Sequence, residues 1–219
     1  MQRKNYDYKK DTVLFSSPRT NIIELIFQLN GMTSVLDLGC GKISNLRFLN
    51  KNIYLYGIDA YEKDINNSKS LKIHNEYIID NILNVDRYFQ NNSVDACVAL
   101  DVIEHLTKDN GLLLIKKIEQ IAKKKIIIFT PNGFLPQKSN EEGDYQEHLS
   151  GWEVDEMKNL GFKVYGSDGL KVLRGEYHRL KYQPYFIWAI LSWLTQQFWC
   201  KKNPKSAAAL LCVKELVKK

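Results

Sequence analysis

Four apolar runs in the first half of the chain each end on an aspartate or within a residue of one. They are Val35 to Leu38 around Asp37, Ile53 to Asp59, Tyr77 to Asp80, and Val94 to Leu100 followed by Asp101. Their length and composition read as strands, and Val94–Leu100 is nearly continuous, as expected for a strand buried on both faces. Stretches of helical length separate them. That alternation argues for a parallel α/β sheet with helices on both faces. Ligands of such sheets bind at the carboxyl ends of the strands. A single acidic strand end is common, whereas four in order line one edge of the sheet with carboxylates.

The first of these ends is the most specific. In Ser34-Val35-Leu36-Asp37-Leu38-Gly39-Cys40-Gly41 an apolar strand runs into an acidic residue and two glycines spaced by one. Glycine turns the chain sharply and removes the Cβ that would keep backbone away from a nucleotide-like ligand. A pyrophosphate would be repelled by Asp37, whereas the ammonium of a methionine-type cofactor would be attracted. The dinucleotide pattern G-x-G-x-x-G also needs a glycine at position 44, where Ser44 stands. The segment therefore favours S-adenosylmethionine (SAM) over NAD.

Helical spacing covers Thr20 to Asn30, ended by Gly31, and Gly111 to Ala122. Further helices are expected from Ser44 to Asn50, Lys63 to Ser70 and Trp152 to Leu160. Lys125 to Thr130 reads as a fifth strand, and Phe162 to Tyr165 and Ala207 to Val213 as the last two. Residues 1–18 read as a polar arm or a short leading helix. No repeat or change of composition divides the 219 residues, so one domain is expected, with 171–206 as an aromatic-rich insertion before the last strand.

The net charge of +6 is spread along the chain apart from short runs such as Lys123-Lys124-Lys125. It reads as a solvated lysine-rich surface and does not favour nucleic acid. Cys40, Cys97, Cys200 and Cys212 make no CxxC pair. With a polar start lacking an apolar core, they are expected to be reduced thiols of a cytoplasmic protein.

A second constellation is Asp101-Val102-Ile103-Glu104-His105-Leu106, directly after the fourth strand. If it opens a helix, Asp101, Glu104 and His105 share a face. Glu147-His148-Leu149-Ser150-Gly151-Trp152 follows the fifth strand and leaves from the same edge. Histidine suits removal of a hydroxyl proton near neutral pH, so Glu104, His105 and His148 are the candidate catalytic groups. A divalent metal is the other way to lower a hydroxyl's pKa. Asp101, Glu104, His105 and His148 are its candidate ligands, and the oxygen-rich set suits Mg²⁺ or Mn²⁺. His74 and His178 lack such company and are expected to be structural or superficial.

Over residues 20–165 the chain resembles class I SAM-dependent methyltransferases. The resemblance implies a Rossmann-like seven-stranded sheet, mostly parallel, with the last strand antiparallel. It also implies that Asp37, Gly39, Cys40 and Gly41 form the methionine-side loop, and that Asp59, followed by Ala60, holds the ribose hydroxyls. Asp80 would accept from the adenine amino group, with Asn81 and Ile82 near the ring and Asp101 near the transferring methyl. The family's third loop glycine is replaced by Ile43. The Asp-x-x-Glu-His motif resembles ubiquinone-pathway O-methyltransferases and small-RNA 2′-O-methyltransferases, whose motif binds a divalent metal. The latter share Thr130-Pro131-Asn132 and a Trp four residues after the second His, as Trp152 follows His148; both groups carry Glu where this chain has Asp101. Gly133-Phe134, Gly161-Phe162 and Leu173-Arg174-Gly175-Glu176 extend the likeness to the broad methyltransferase-11 set. No Asn/Asp-Pro-Pro-Tyr/Phe follows the fourth strand, which argues against methylation of DNA bases. An oxygen acceptor is expected, on a small molecule, a glycan or a lipid-linked compound in preference to RNA.

Pro184 to Trp199 is the last feature, with apolar side chains around most of a helix and Lys201-Lys202 after it. It is short for a membrane span. An apolar helix is ordinarily buried, which favours a lid or homodimer helix with its aromatics packed over the active site. Tryptophan, tyrosine and flanking lysine also suit peripheral membrane contact.

Overall fold

The computed structural model describes residues 18–138, 146–175 and 179–216; the expected arm at 1–18, apart from Pro18, lies outside them, as do Glu176 and His178. One sheet of seven strands forms the centre, in the order β3-β2-β1-β4-β5-β7-β6. The strands are β1 (Ser34–Leu38), β2 (Tyr54–Asp59), β3 (Glu76–Ile79), β4 (Val94–Leu100), β5 (Ala122–Pro131), β6 (Lys163–Leu170) and β7 (Ala207–Glu215). β1 to β5 pair in parallel, and β7 runs antiparallel between β5 and β6. The strand order therefore reverses between β1 and β4, where the connections diverge and open a crevice above the carboxyl ends.

The helices are α1 (Pro18–Gln28), α2 (Glu62–Ser70), α3 (Lys108–Ile121), α4 (Val154–Asn159) and α5 (Tyr185–Thr195). Successive strand residues point to opposite faces, which explains why the central strands read as unbroken apolar runs. On one face Leu114 and Ile118 of α3 and Met157 of α4 join Leu36, Leu38, Cys97 and Ile128. On the other, Leu25 of α1, Leu29 just after it and the pair Leu46 and Leu49 join Val35, Ala96, Val98 and Ile127.

Two sequence expectations change. The helix expected at Ser44–Asn50 is a single 3₁₀ turn, Asn45–Phe48, capped by the Ser44 hydroxyl. Leu46 within the turn and Leu49 directly after it are both buried. The aromatic helix is not a lid. α5 continues into a π-helical turn, Gln196–Cys200, and both pack on β6, the outer strand on the side of the sheet away from β1–β3.

α5 sits there through polar contacts. The Gln196 side chain accepts from Gly169 N at 3.0 Å and donates to Gly166 O at 3.0 Å. It thereby satisfies backbone groups that an edge strand leaves without partners. Ser192 Oγ donates to Asp168 O at 3.1 Å and accepts from Arg174 Nη2 at 3.0 Å. Glycines allow the close approach: a Cβ on Gly166 would stand 2.1 Å from Cys200 O, and one on Gly169 2.4 Å from Ser192 Oγ. The other side of the helix, with most of its aromatics, faces outward. Among the described residues no helix is long and apolar enough to cross a membrane.

The Gly166 contact is tested by Gly166→Ala. The new Cβ meets backbone on one side and Ala207 on the other, so the loss of unfolding free energy should be about 1–3 kcal/mol by urea denaturation.

Candidate active site

Where β1 ends, Gly39 and Gly41 both take left-handed backbone angles, with φ of +66° and +54°. A side chain at either would strain the turn, and a Cβ on Gly39 would also come within 2.6 Å of Val102 Cγ2. The turn is tied to β2 through Gly39 N and Cys40 N, which both donate to Ile58 O. Asp59 Oδ2 accepts from Gly41 N and Oδ1 from Tyr61 N, each at 2.8 Å. Burial raises the Asp59 pKa, and these two hydrogen bonds oppose that rise.

Asp37 lies beneath the turn and is buried. Its Oδ2 accepts from Ser44 Oγ at 2.5 Å and from His74 Nε2 at 2.8 Å. His74, expected to stand without company, is instead buried and paired with Asp37, while its Nδ1 approaches Ser68 Oγ at 3.4 Å. The Cys40 side chain also turns inward, and its Sγ would be 3.0 Å from a Cβ on Gly57.

A cleft of about 650 Å³ opens over this edge, within the range of small-molecule sites. It is lined by the expected Gly39, Gly41, Asp59, Ala60, Asn81, Ile82, Asp101 and His105. Lys42, Tyr61, Asp64, Val102, Leu106 and Gln146 line it as well and were not foreseen. Asp37 and Cys40 are absent from the lining and shape the turn from below. Asp80, expected to meet the adenine amino group, is also absent from the lining, and its carboxylate accepts from Asn84 Nδ2, Tyr88 Oη and Asn81 N. These bonds hold its pKa below the ordinary carboxyl value. The chemistry of the lining fits SAM: bare backbone at Gly39 and Gly41, a carboxylate at Asp59 whose oxygens each keep a second lone pair, and carboxylates to meet an ammonium.

After β4 the chain does not open an α-helix. Asp101 has φ of +53°, and Ile103–His105 form one 3₁₀ turn before α3 begins at Lys108. The three residues therefore do not share a helical face: Asp101 is exposed in the cleft and Glu104 is buried. The loop after β5 is stapled onto this turn. Leu149 N and Ser150 N donate to Glu104 O, Trp152 Nε1 donates to Ile103 O, and Thr130 Oγ1 donates to Glu104 Oε2 at 3.0 Å. That stapling sets the His105 and His148 rings 4.8 Å apart, edge to face.

Each ring is oriented by a backbone carbonyl. His105 Nδ1 meets Glu147 O at 3.0 Å, and His148 Nδ1 meets Leu135 O at 2.7 Å. Donation from Nδ1 leaves the lone pair of the neutral ring on Nε2. Ligand atoms of Glu104, His105 and His148 all lie within 4.8 Å of one another. Asp101, expected in the same set, is not part of this cluster. Burial, and then the neighbouring charge of Asp101, push the Glu104 carboxyl well above its usual value.

Residues 36–129 match the family described as "Methyltransferase domain". No curated protein matches the chain. Among solved structures, a SAM-dependent methyltransferase from Archaeoglobus fulgidus is 15% identical, with 90% of this chain and 92% of that one covered and a TM-score of 0.61. The methyltransferase domain of bacterial CtHen1-CN is 17% identical over 91% of this chain and 98% of that one, with a TM-score of 0.57. The small RNA methyltransferase HEN1 is 14% identical and covers all of this chain but 27% of its own length, with a TM-score of 0.60. At these identities the likenesses show the fold.

Two expectations follow from the geometry. Asp59→Ala should weaken binding of S-adenosylhomocysteine, the demethylated product of SAM, by roughly 10–100-fold in a calorimetric titration. The folded protein holds the Glu104 proton more tightly than the unfolded chain does, so this residue lowers stability as pH climbs above the ordinary value of 4.5. Glu104→Gln lacks that titration. Its melting temperature should therefore gain on the wild type as pH rises above about 5, measured by calorimetry.

Proposed function

Because this chain carries a SAM-dependent methyltransferase domain over residues 36–129, we propose that it transfers the SAM methyl group to an oxygen of its acceptor, held beside His105 and His148. The observation that carries this reading is the pair of imidazoles, each anchored through Nδ1 with its basic nitrogen on Nε2. SAM, when bound, supplies a methyl carbon already activated by its sulfonium, so the C–S bond breaks as the C–O bond forms. The chain then has two tasks, alignment and removal of one proton. Gly39, Gly41, Asp59, Asn81 and Ile82 line the part of the cleft suited to the nucleoside and methionine groups. Asp101 and His105 line the part where the acceptor would approach. The acceptor's hydroxyl proton passes to Nε2 of one of the two histidines. Lining carboxylates at Asp59, Asp64 and Asp101 outnumber the one lysine, Lys42. That balance supports a small, glycan or lipid-linked acceptor over a polyanion.

A second reading is favoured by the convergence of Glu104, His105 and His148. Two imidazole nitrogens and one carboxylate would suit Mn²⁺ or a related transition-metal ion more than Mg²⁺, and such an ion would lower the pKa of the acceptor hydroxyl. A cation there would also offset the burial of Glu104. The fold shared with the small RNA methyltransferase HEN1 makes the 2′-hydroxyl of RNA the alternative acceptor under this reading.

The test uses a panel of phenols, alcohols and amines with release of S-adenosylhomocysteine as the readout. His105→Ala combined with His148→Ala should keep the thermal shift given by S-adenosylhomocysteine and lose at least about 100-fold in rate. Unchanged rates would remove the histidines from the reaction, and methylation confined to amines would overturn the oxygen acceptor. Loss of turnover with a chelator, restored by Mg²⁺ or Mn²⁺, would select the metal reading. Retention of RNA at low salt would select the RNA acceptor.

A further inference from the structure

α5 and its π-helical turn are built inside out. Their buried residues are Ser192, Gln196 and Cys200, two of them polar and both hydrogen-bonded to the β6 segment. At about 100° per residue, Phe186, Ile187, Ile190, Leu191, Trp193 and Leu194 of α5 fall on an arc of roughly 160° centred opposite Ser192. The exposures agree: Phe186 is 64% exposed, Trp193 42% and Phe198 78%. A water-facing helix normally shows the reverse pattern, and contiguous exposed apolar surface marks an interaction site. The Lys201–Glu24 ion pair, 2.7 Å long, also brings α1 beside the end of this face. α1 exposes Ile23 and Phe27, one helical turn apart.

Charge identifies the occupant. Residues 179–206 contain Arg179, Lys181, Lys201, Lys202 and Lys205 and no acidic residue. Lys201 and Lys205 reach Glu24 and Asp155, exposed pairs of little strength. Lys181 and Lys202 are exposed, and among the described residues neither has an ion pair. An apolar aromatic face flanked at both ends by cations matches the interface of a membrane bearing anionic headgroups. Trp193 and Trp199 suit that depth, and lysine heads reach back to the phosphates while their stems stay apolar. A second copy of the chain would set two acid-free cationic segments against each other.

We propose that the outward face of α5 docks this protein in the plane of an anionic lipid surface. The full chain is sedimented with vesicles of phosphatidylcholine alone or with about 30 mol% phosphatidylglycerol. Wild type should pellet at least about fivefold more with the anionic vesicles and lose most of that excess in about 0.5 M salt. Phe186→Ser/Trp193→Ser/Phe198→Ser should stay in the supernatant while keeping the thermal shift given by S-adenosylhomocysteine. Lys181→Gln/Lys202→Gln should lose the preference for anionic lipid. Wild type that stays soluble with anionic vesicles, or a triple variant that pellets like wild type, overturns the proposal. A wild-type dimer that the triple variant makes monomeric, without vesicle binding, would assign the face to self-association instead.

Discussion

One carboxylate oxygen carries much of the cofactor end of the molecule. Asp37 Oδ2 is buried and takes a hydrogen bond from Ser44, in the connection that follows β1, and one from His74, just before β3. A buried carboxylate is costly unless its donors are in place, so its burial demands that three separate stretches of chain keep their positions. The Gly39–Gly41 turn sits between those stretches and is held from outside as well, by Asp59 on Gly41 N. The backbone that a nucleoside ligand would approach is thus clamped between two aspartates, of which only Asp59 faces the cleft.

This arrangement also explains what the sequence could reveal. Gly39, Gly41 and Asp59 were legible because each acts within a few residues of a strand end, and strand ends are marked by the change from apolar to polar. His74 was not. It is 37 residues from Asp37 and stands in a polar stretch before a short strand, where a surface position is the ordinary expectation. The cluster after β4 was legible in its members and not in its shape. Helical spacing put Asp101, Glu104 and His105 on one face, whereas a positive φ at Asp101 and a 3₁₀ turn separate exposed Asp101 from buried Glu104. Neither departure carries a glycine or proline to signal it.

The histidine pair shows how two loops distant in sequence become one site. The carbonyls of Ile103 and Glu104 receive Leu149 N, Ser150 N and Trp152 Nε1. Trp152 packs against Gly111, where a Cβ would come within 2.4 Å of the indole. Small residue, buried indole and backbone staples leave the two loops one relative placement, and the His105–His148 contact follows from it. The same staples bury Glu104, so the pressure that raises its pKa is a consequence of joining the loops.

For α5, average burial was the wrong guide because it assigns the inward face by hydrophobicity. An edge strand imposes a different requirement. Its outward N–H and C=O groups need hydrogen-bond partners, and the Gln196 amide, with one acceptor and two donors, meets both Gly169 and Gly166. Once the polar stripe faces the sheet, helical geometry sends the apolar residues outward. β6 runs antiparallel to β7, as β5 does, so its carboxyl end lies on the same edge of the sheet as the cleft. Ser192 meets β6 near that end and Cys200 lies further back along the strand, so α5 points its first turn toward that edge. A lipid surface on α5 would therefore extend toward the same edge of the sheet as the cleft, at the end of the strand order away from β1–β3.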